Sequence, residues 1–123
     1  MKANELRIGN LIRWISTGEI DTVKDILTAG RKHECINNVN ISDCEPIPMA
    51  EEWLDRFGFE SYGHIYTLHF KNGFALNYNT SLKSWFLSIH STTTTAISDF
   101  KYVHQLQNLY FALTGEEIKI INK

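Results

Sequence analysis

The chain reads as an α+β domain: an N-terminal bent antiparallel sheet, a short helix, a three-stranded antiparallel meander and a C-terminal helix packed on sheet. Three observations predict this. Residues 99–114 carry large apolar side chains at helical spacing, residues 64–90 alternate apolar and polar side chains at strand spacing, and residues 6–44 hold short β-branched segments divided by turn signals. No Pro/Gly/Ser-rich linker and no internal repeat divides the chain, so residues 1–123 are read as a single domain.

Composition narrows the function classes. With 43% hydrophobic and 12% aromatic residues, the chain can bury a core without metals or disulfides. The formal net charge is -2, and Arg31-Lys32-His33 is the one local basic run, which argues against a nucleic-acid interface. The N-terminal residues lack the uninterrupted apolar segment of a secretory signal, and no stretch approaches the length of a membrane span. A cytoplasmic protein is the expectation. In that setting Cys35 and Cys44 read as two small apolar thiols, with a disulfide the lesser alternative.

Taken in order, residues 11–15 and 20–26 flank Ser16-Thr17-Gly18-Glu19 and predict a hairpin. A two-residue loop would pair Ile15 with Ile20; a three-residue loop would pair Trp14 with Ile20 and set Arg13 opposite Asp21. The Ile8-Gly9-Asn10 step predicts a bend or bulge before the first long strand. Residues 34–36 and 39–42 form two further extended segments, divided by Asn37-Asn38, residue types that tolerate left-handed backbone. Residues 6–44 together predict one small, strongly bent sheet, for which an SH3-like half barrel is one available form.

Pro46 and Pro48 end that sheet. The short helix is expected within 49–58, with Met49, Trp53, Leu54 and Phe57 inward, acids first and Arg56 last. Gly58 would close it in a Schellman motif that brings Phe59 onto Leu54. In the meander, a three-residue Lys71-Asn72-Gly73 turn sets Phe70 opposite Phe74, Leu68 opposite Leu76 and Tyr66 opposite Tyr78. A third strand over 85–90 adds Trp85, Leu87 and Ile89 to that apolar face and Phe86, Ser88 and His90 to the other. The threonine run at 91–95 has no packing pattern and is expected to be a strand end or loop. The last helix runs over 99–114, capped by Ser98 or Asp99 and closed by Gly115, with Tyr102, Val103, Leu106, Leu109, Tyr110 and Leu113 on its packing stripe.

The chemistry-bearing residues form no strong motif. His33 and Cys35 would share a strand face, but no nucleophile elbow or orienting carboxylate accompanies them. His33, Cys35 and Cys44 lack zinc-site spacing, and the glycines stand singly rather than in a phosphate loop; the expectation is no catalytic residue, no metal and no cofactor. Two surfaces remain. The polar meander face carries Thr67, His69, Asn77, Phe86, Ser88 and His90, either a plain solvated face or a site for a polar ligand or partner loop. The helix flank with His104, Gln107 and Phe111 is either buried under the N-terminal sheet or an interaction surface, which would suit a homo-oligomer or a protein partner.

Three segments carry a resemblance. MKANELRIGNL at the start, EPIPMAEEWLDRFGF in the middle and KYVHQLQNLYFALTGEE near the end resemble a family of small uncharacterised proteins of gut bacteria and their phages and mobile elements. Where that family's pattern would have Thr before the two acids of the short helix, this chain has Ala50. The resemblance implies no established activity. It implies accessory roles, including counter-defence by binding a host protein or by sequestering a signalling nucleotide. The expected function is therefore a non-enzymatic accessory binding protein for a protein partner. A nucleotide sponge, with the polar meander face and its aromatics as the pocket, is the alternative, and a small hydrolase-like enzyme using His69, His90 or Cys35 stands third.

Overall fold

The computed structural model describes residues 3–27, 34–89, 93–97 and 99–121. It is an α+β fold, with three antiparallel sheets and two α-helices among the described residues. Among the described residues, no helix is long and apolar enough to cross a membrane.

The N-terminal region makes two small sheets, not the single bent one expected. The first joins β1 (Leu11–Trp14), β2 (Ile20–Thr22) and β6 (Cys44–Glu45) in the order β2-β1-β6. The second joins β3 (Ile26–Leu27), β4 (Cys35–Ile36) and β5 (Val39–Asn40). Asn37 and Asn38 turn between β4 and β5 with φ of 53° and 65°, the left-handed conformation their side chains tolerate. The Asn37 Oδ1 also accepts from the Lys24 and Asp25 amides, which ties this turn to the chain entering β3.

Neither expected register of the β1–β2 hairpin occurs. Arg13 pairs with Ile20 and Ile12 with Asp21, because the loop is longer: the Trp14 N–H donates to Glu19 O and the Gly18 N–H to Trp14 O. Gly18 takes φ 72° to close that turn. In this register the Trp14 indole N–H donates to the Asp21 carboxylate at 3.0 Å, and Arg13 reaches Glu45 on β6 instead of Asp21. Leu6, Ile12, Val23, Ile36 and Cys44 are buried between the two sheets' strands as one small core.

Helix α1 (Glu51–Arg56) ends as expected. Gly58, at φ 85°, donates to Asp55 O, and the Phe59 N–H donates to Leu54 O at 2.9 Å, the bond pair of a Schellman motif. At the other end Ala50 has the extended backbone of an N-cap residue but no side chain to accept from the first turn.

The second half is built on a five-stranded sheet, β7 (Glu60–Tyr62), β8 (Ile65–His69), β9 (Phe74–Asn79), β10 (Ser84–Ile89) and β11 (Thr93–Ile97), in the order β11-β10-β9-β8-β7. The meander register is the expected one: Tyr66 pairs with Tyr78, Leu68 with Leu76, and Gly73 stands at φ 90° in the turn. Trp85 and Leu87 continue the apolar face opposite Tyr78 and Leu76. The expected meander gains a strand on each side. β7 is exposed throughout and shows no alternation, and β11 spans Thr-Thr-Thr-Ala-Ile, so neither announces a strand.

Helix α2 (Val103–Thr114) starts at Val103, later than residue 99. The preceding residues are extended: Pro48 bridges Tyr102, and Met49 N–H donates to Lys101 O. The Gln105 side chain caps the helix start by accepting from the Lys101 and Tyr102 amides. Of the two expected caps, Asp99 stands before this extended stretch and Ser98 lies outside the described residues. Gly115 closes the helix at φ 74°.

The apolar face of the large sheet, α1 and α2 share the main core, in which Trp53, Leu54, Phe57, Phe70, Leu76, Trp85, Val103 and Leu106 are buried. Trp85 lies edge-on to Phe59 and Phe100, and Phe70 meets Tyr110 with ring centroids 4.9 Å apart. The expected stripe of α2 therefore packs on the expected face of the sheet.

Candidate functional site

With both helices packed on its apolar side, the five-stranded sheet presents its other face as a shallow depression of about 420 Å³. Strand pairing sets the composition of this face. Thr67 lies opposite Asn77, Asn77 opposite Phe86, Ser88 opposite Ala75 and Thr94 opposite Ser88. Tyr62, Ile65, His69, Phe86 and Thr94 line the depression with them. The sequence expectation thus brings together Thr67, His69, Asn77, Phe86 and Ser88; His90 lies outside the described residues.

The polar groups at the centre are already bonded to one another. Thr67 Oγ1 donates to Asn77 Oδ1 at 2.9 Å, Asn77 Nδ2 donates to Ser88 Oγ at 3.1 Å, and Ser88 Oγ donates onward to Ala75 O at 3.4 Å. This line crosses three strands and leaves Thr67 only 8% exposed. A satisfied polar line of this kind fixes the surface's shape more than it offers unmet donors. Around it stand the apolar or amphipathic bodies of Tyr62, Ile65 and Phe86, with Tyr62 57% exposed and His69 exposed at the end of β8. The Tyr62 hydroxyl donates to the Glu60 carboxylate, and that bond together with the negative charge pushes the phenol's pKa up, so it stays a neutral donor.

The helix flank behaves differently from an open surface. His104 and Gln107 are each 3% exposed, buried where α2 meets the N-terminal region, and Phe111 alone of the three is exposed, at 38%. Gln107 serves as a two-sided bracket: its Oε1 accepts from Leu11 N at 2.8 Å and its Nε2 donates to Gly9 O at 3.3 Å. Asn108 beside it accepts from Asn10 Nδ2 at 2.8 Å and from Arg7 Nε at 3.2 Å. The Arg7 guanidinium then stacks over the Phe111 ring at 4.2 Å and pairs with Glu117. Gly9 takes φ 101° here, a backbone conformation that L side chains rarely adopt, so glycine suits this bend. Burial under the N-terminal region is thus the outcome for His104 and Gln107.

His104 stacks on Tyr102 with the rings 8° from parallel, and its Nδ1 is the one buried side-chain nitrogen or oxygen among the described residues with no hydrogen-bond partner. Burial holds its pKa below the ordinary value, with the Glu5 charge acting in the opposite sense.

The cysteine chemistry also resolves in part. Cys35 and Cys44 form no disulfide. Cys44 donates to Ile41 O at 3.3 Å, and burial, with Asp43 nearby, pushes its thiol up and away from the thiolate a nucleophile needs. His33 lies outside the described residues, and among the described residues no group of three His, Cys, Asp or Glu side chains could hold a metal ion.

Sequence reasoning missed a hollow of about 390 Å³ on another side, between the start of α1 and the β9–β10 turn. Tyr78, Trp85 and Phe100 form its wall, and Glu51, Asp99, Lys83 and Lys101 its charged residues. Burial, with the Asp99 and Glu51 charges adding to it, pushes the Tyr78 phenol's pKa up. No local pattern in Thr80-Ser81-Leu82-Lys83 announces this hollow, where Lys83 takes φ 51°. No protein-family model, curated protein or solved structure matches the chain.

Proposed function

We propose that the chain is a non-enzymatic accessory binding protein whose partner is another protein, met on the outer face of the five-stranded sheet. One observation carries this reading: the face is broad and shallow, its polar line Thr67-Asn77-Ser88 is internally bonded, and Phe86 beside Asn77, with Tyr62 and Ile65 toward the β7 edge, supplies apolar surface. Pre-bonded polar groups beside two aromatic side chains suit the flat, rigid complement of a protein surface, where aromatic anchors contribute much of the affinity. The resemblance to phage and mobile-element proteins makes a host protein, engaged in counter-defence, the class of partner proposed.

The test is affinity capture from the source cell with the wild-type chain and with Tyr62→Ala and Phe86→Asp variants. A protein retained by wild type and by a Lys119→Ala control but lost from both face variants supports the reading. Identical capture by all four chains counts against it.

The alternative, a sponge for a nucleotide-type signalling molecule, draws on the hollow beside α1. There Lys83 and Lys101 offer cations to phosphate and the Tyr78-Trp85-Phe100 wall offers an aromatic boundary. Titration calorimetry with cyclic dinucleotides separates the two readings: heat lost in a Lys83→Ala, Lys101→Ala double variant supports the sponge, and no heat with wild type removes it.

A further inference from the structure

The two edges of the large sheet differ in kind. β7 is three residues long, exposed throughout and carries Glu60. β11 is five residues long and holds no charged residue and no proline. It pairs with β10 in unbroken register from Ile97 opposite Trp85 to Thr93 opposite Ile89, with no bulge to turn it away. Thr94, Thr95 and Ala96 are exposed, and among the described residues no strand lies beyond β11 in the sheet order. An edge strand presents a row of backbone N–H and C=O groups to any chain that can pair with them, and charge, proline, bulges and short length are the usual guards. β7 has two of these guards; β11 has none.

We infer that β11 is a strand-addition site and that its occupant is β11 of a second copy of this chain, paired antiparallel about a two-fold axis at Thr95. In that pairing Thr95 faces its own copy and Thr94 faces Ala96. The strand's neutrality means that no like charges are brought together, and threonine cross-strand pairs are favourable. The alternative contact between copies, β11 on β7, would set a five-residue neutral edge against a three-residue strand bearing Glu60. Two copies therefore close on each other through the same edge rather than growing into a filament. The axis runs perpendicular to the sheet, so the two outer faces lie side by side on one surface of a continuous double sheet. The self-pairing does not depend on what that surface binds.

Sedimentation velocity on the full chain, over a micromolar dilution series, tests this. Wild type is expected to sediment as a dimer that dissociates on dilution. Thr95→Lys places two cations at the axis and is expected to raise the dimer Kd about tenfold or more, and Thr95→Glu the same. An equimolar mixture of the two variants is expected to recover the dimer, because opposite charges then meet. Far-UV circular dichroism checks that each variant is folded; if either fails, Ala96→Lys against Thr94→Glu reads the same contact one residue away. A wild-type chain that remains monomeric overturns the inference, including the case in which the edge takes an extended segment of a different protein. A Thr95→Lys chain that dimerises as wild type does overturns it too.

Discussion

The large sheet meets helix α2 through rings and aliphatic side chains, with Phe70 on Tyr110 and Leu76 in one buried cluster with Leu106, whereas the N-terminal region, beyond the apolar contribution of Leu11 to that cluster, meets the same helix through the amides and guanidinium of Asn10, Gln107, Asn108 and Arg7. The first contact is non-directional and scales with the area removed from water. The second is directional, and each of its bonds adds only modest net stability while leaving one unmade is costly. One helix thus joins a tolerant apolar core to a demanding polar seam, and the N-terminal region, with a small buried core of its own, meets the helix through that seam and through Leu11.

The largest expected effect lies on the apolar side. Trp85 is 2% exposed and touches the rings of Phe59, Tyr78 and Phe100. Trp85→Ala is expected to lose about 3–5 kcal/mol, enough to unfold the whole chain in mild denaturant. Urea unfolding monitored by circular dichroism measures it; a loss below about 1 kcal/mol would contradict the role given to this core.

Removing the seam is expected to cost less and act locally. Gln107→Ala strands the Leu11 N–H, whose residue is 8% exposed, and releases Gly9 O. The expected loss is about 1–3 kcal/mol. Amide hydrogen exchange distinguishes where it falls: residues 9–14 should exchange faster while β8, β9 and β10 keep their protection. Uniform loss across both regions would show that seam and core are one cooperative unit.

His104 makes the same seam sensitive to pH. Its folded pKa is lowered by burial, so the folded state binds fewer protons than the unfolded one near the ordinary histidine pKa. The sign follows: its contribution is neutral well above that value, and stability falls as pH drops through about 6.5 towards the lower folded pKa. Denaturant midpoints measured between neutral and mildly acidic pH should decline more steeply for wild type than for His104→Phe. Parallel slopes would assign the decline to other groups.

These contrasts also explain what could be read from the chain beforehand. The Phe70/Phe74, Leu68/Leu76 and Tyr66/Tyr78 pairs were legible because alternation and Gly73 constrain one another: a one-residue slip would turn every ring to the wrong face. The polar flank of α2 was ambiguous because periodicity records apolar burial, and Gln107 is buried through hydrogen bonds to strand backbone far away in sequence. The β1–β2 register differs for a related reason: the loop is longer than the turn signals suggest, closed by the Trp14 N–H on Glu19 O and accompanied by the Trp14–Asp21 side-chain bond, neither of which strand spacing records. Strand alternation places Thr67, Asn77 and Ser88 on one face, but only the three-strand alignment reveals that they bond to one another. β11 was hidden because an edge strand with polar side chains on both faces carries no alternation to detect.

The smallest predicted change sharpens the comparison from the apolar side. Helix α1 contributes Trp53, Leu54 and Phe57 to the main core, yet its first turn is uncapped because position 50 is alanine. Ala50 already holds φ -146° and ψ 161°, the extended backbone of an N-cap residue, and is exposed, so a hydroxyl can be added there without rearranging the chain. Ala50→Thr is expected to gain about 0.5–1 kcal/mol, read as a higher urea midpoint at unchanged slope. Since α1 packs into the same core as the sheet, that gain should appear as slower exchange across β8, β9 and β10 as well as in α1. If the N-terminal amides at 9–14 gain no protection, the stabilised core and the polar seam open separately, and the seam is the weaker joint of the molecule.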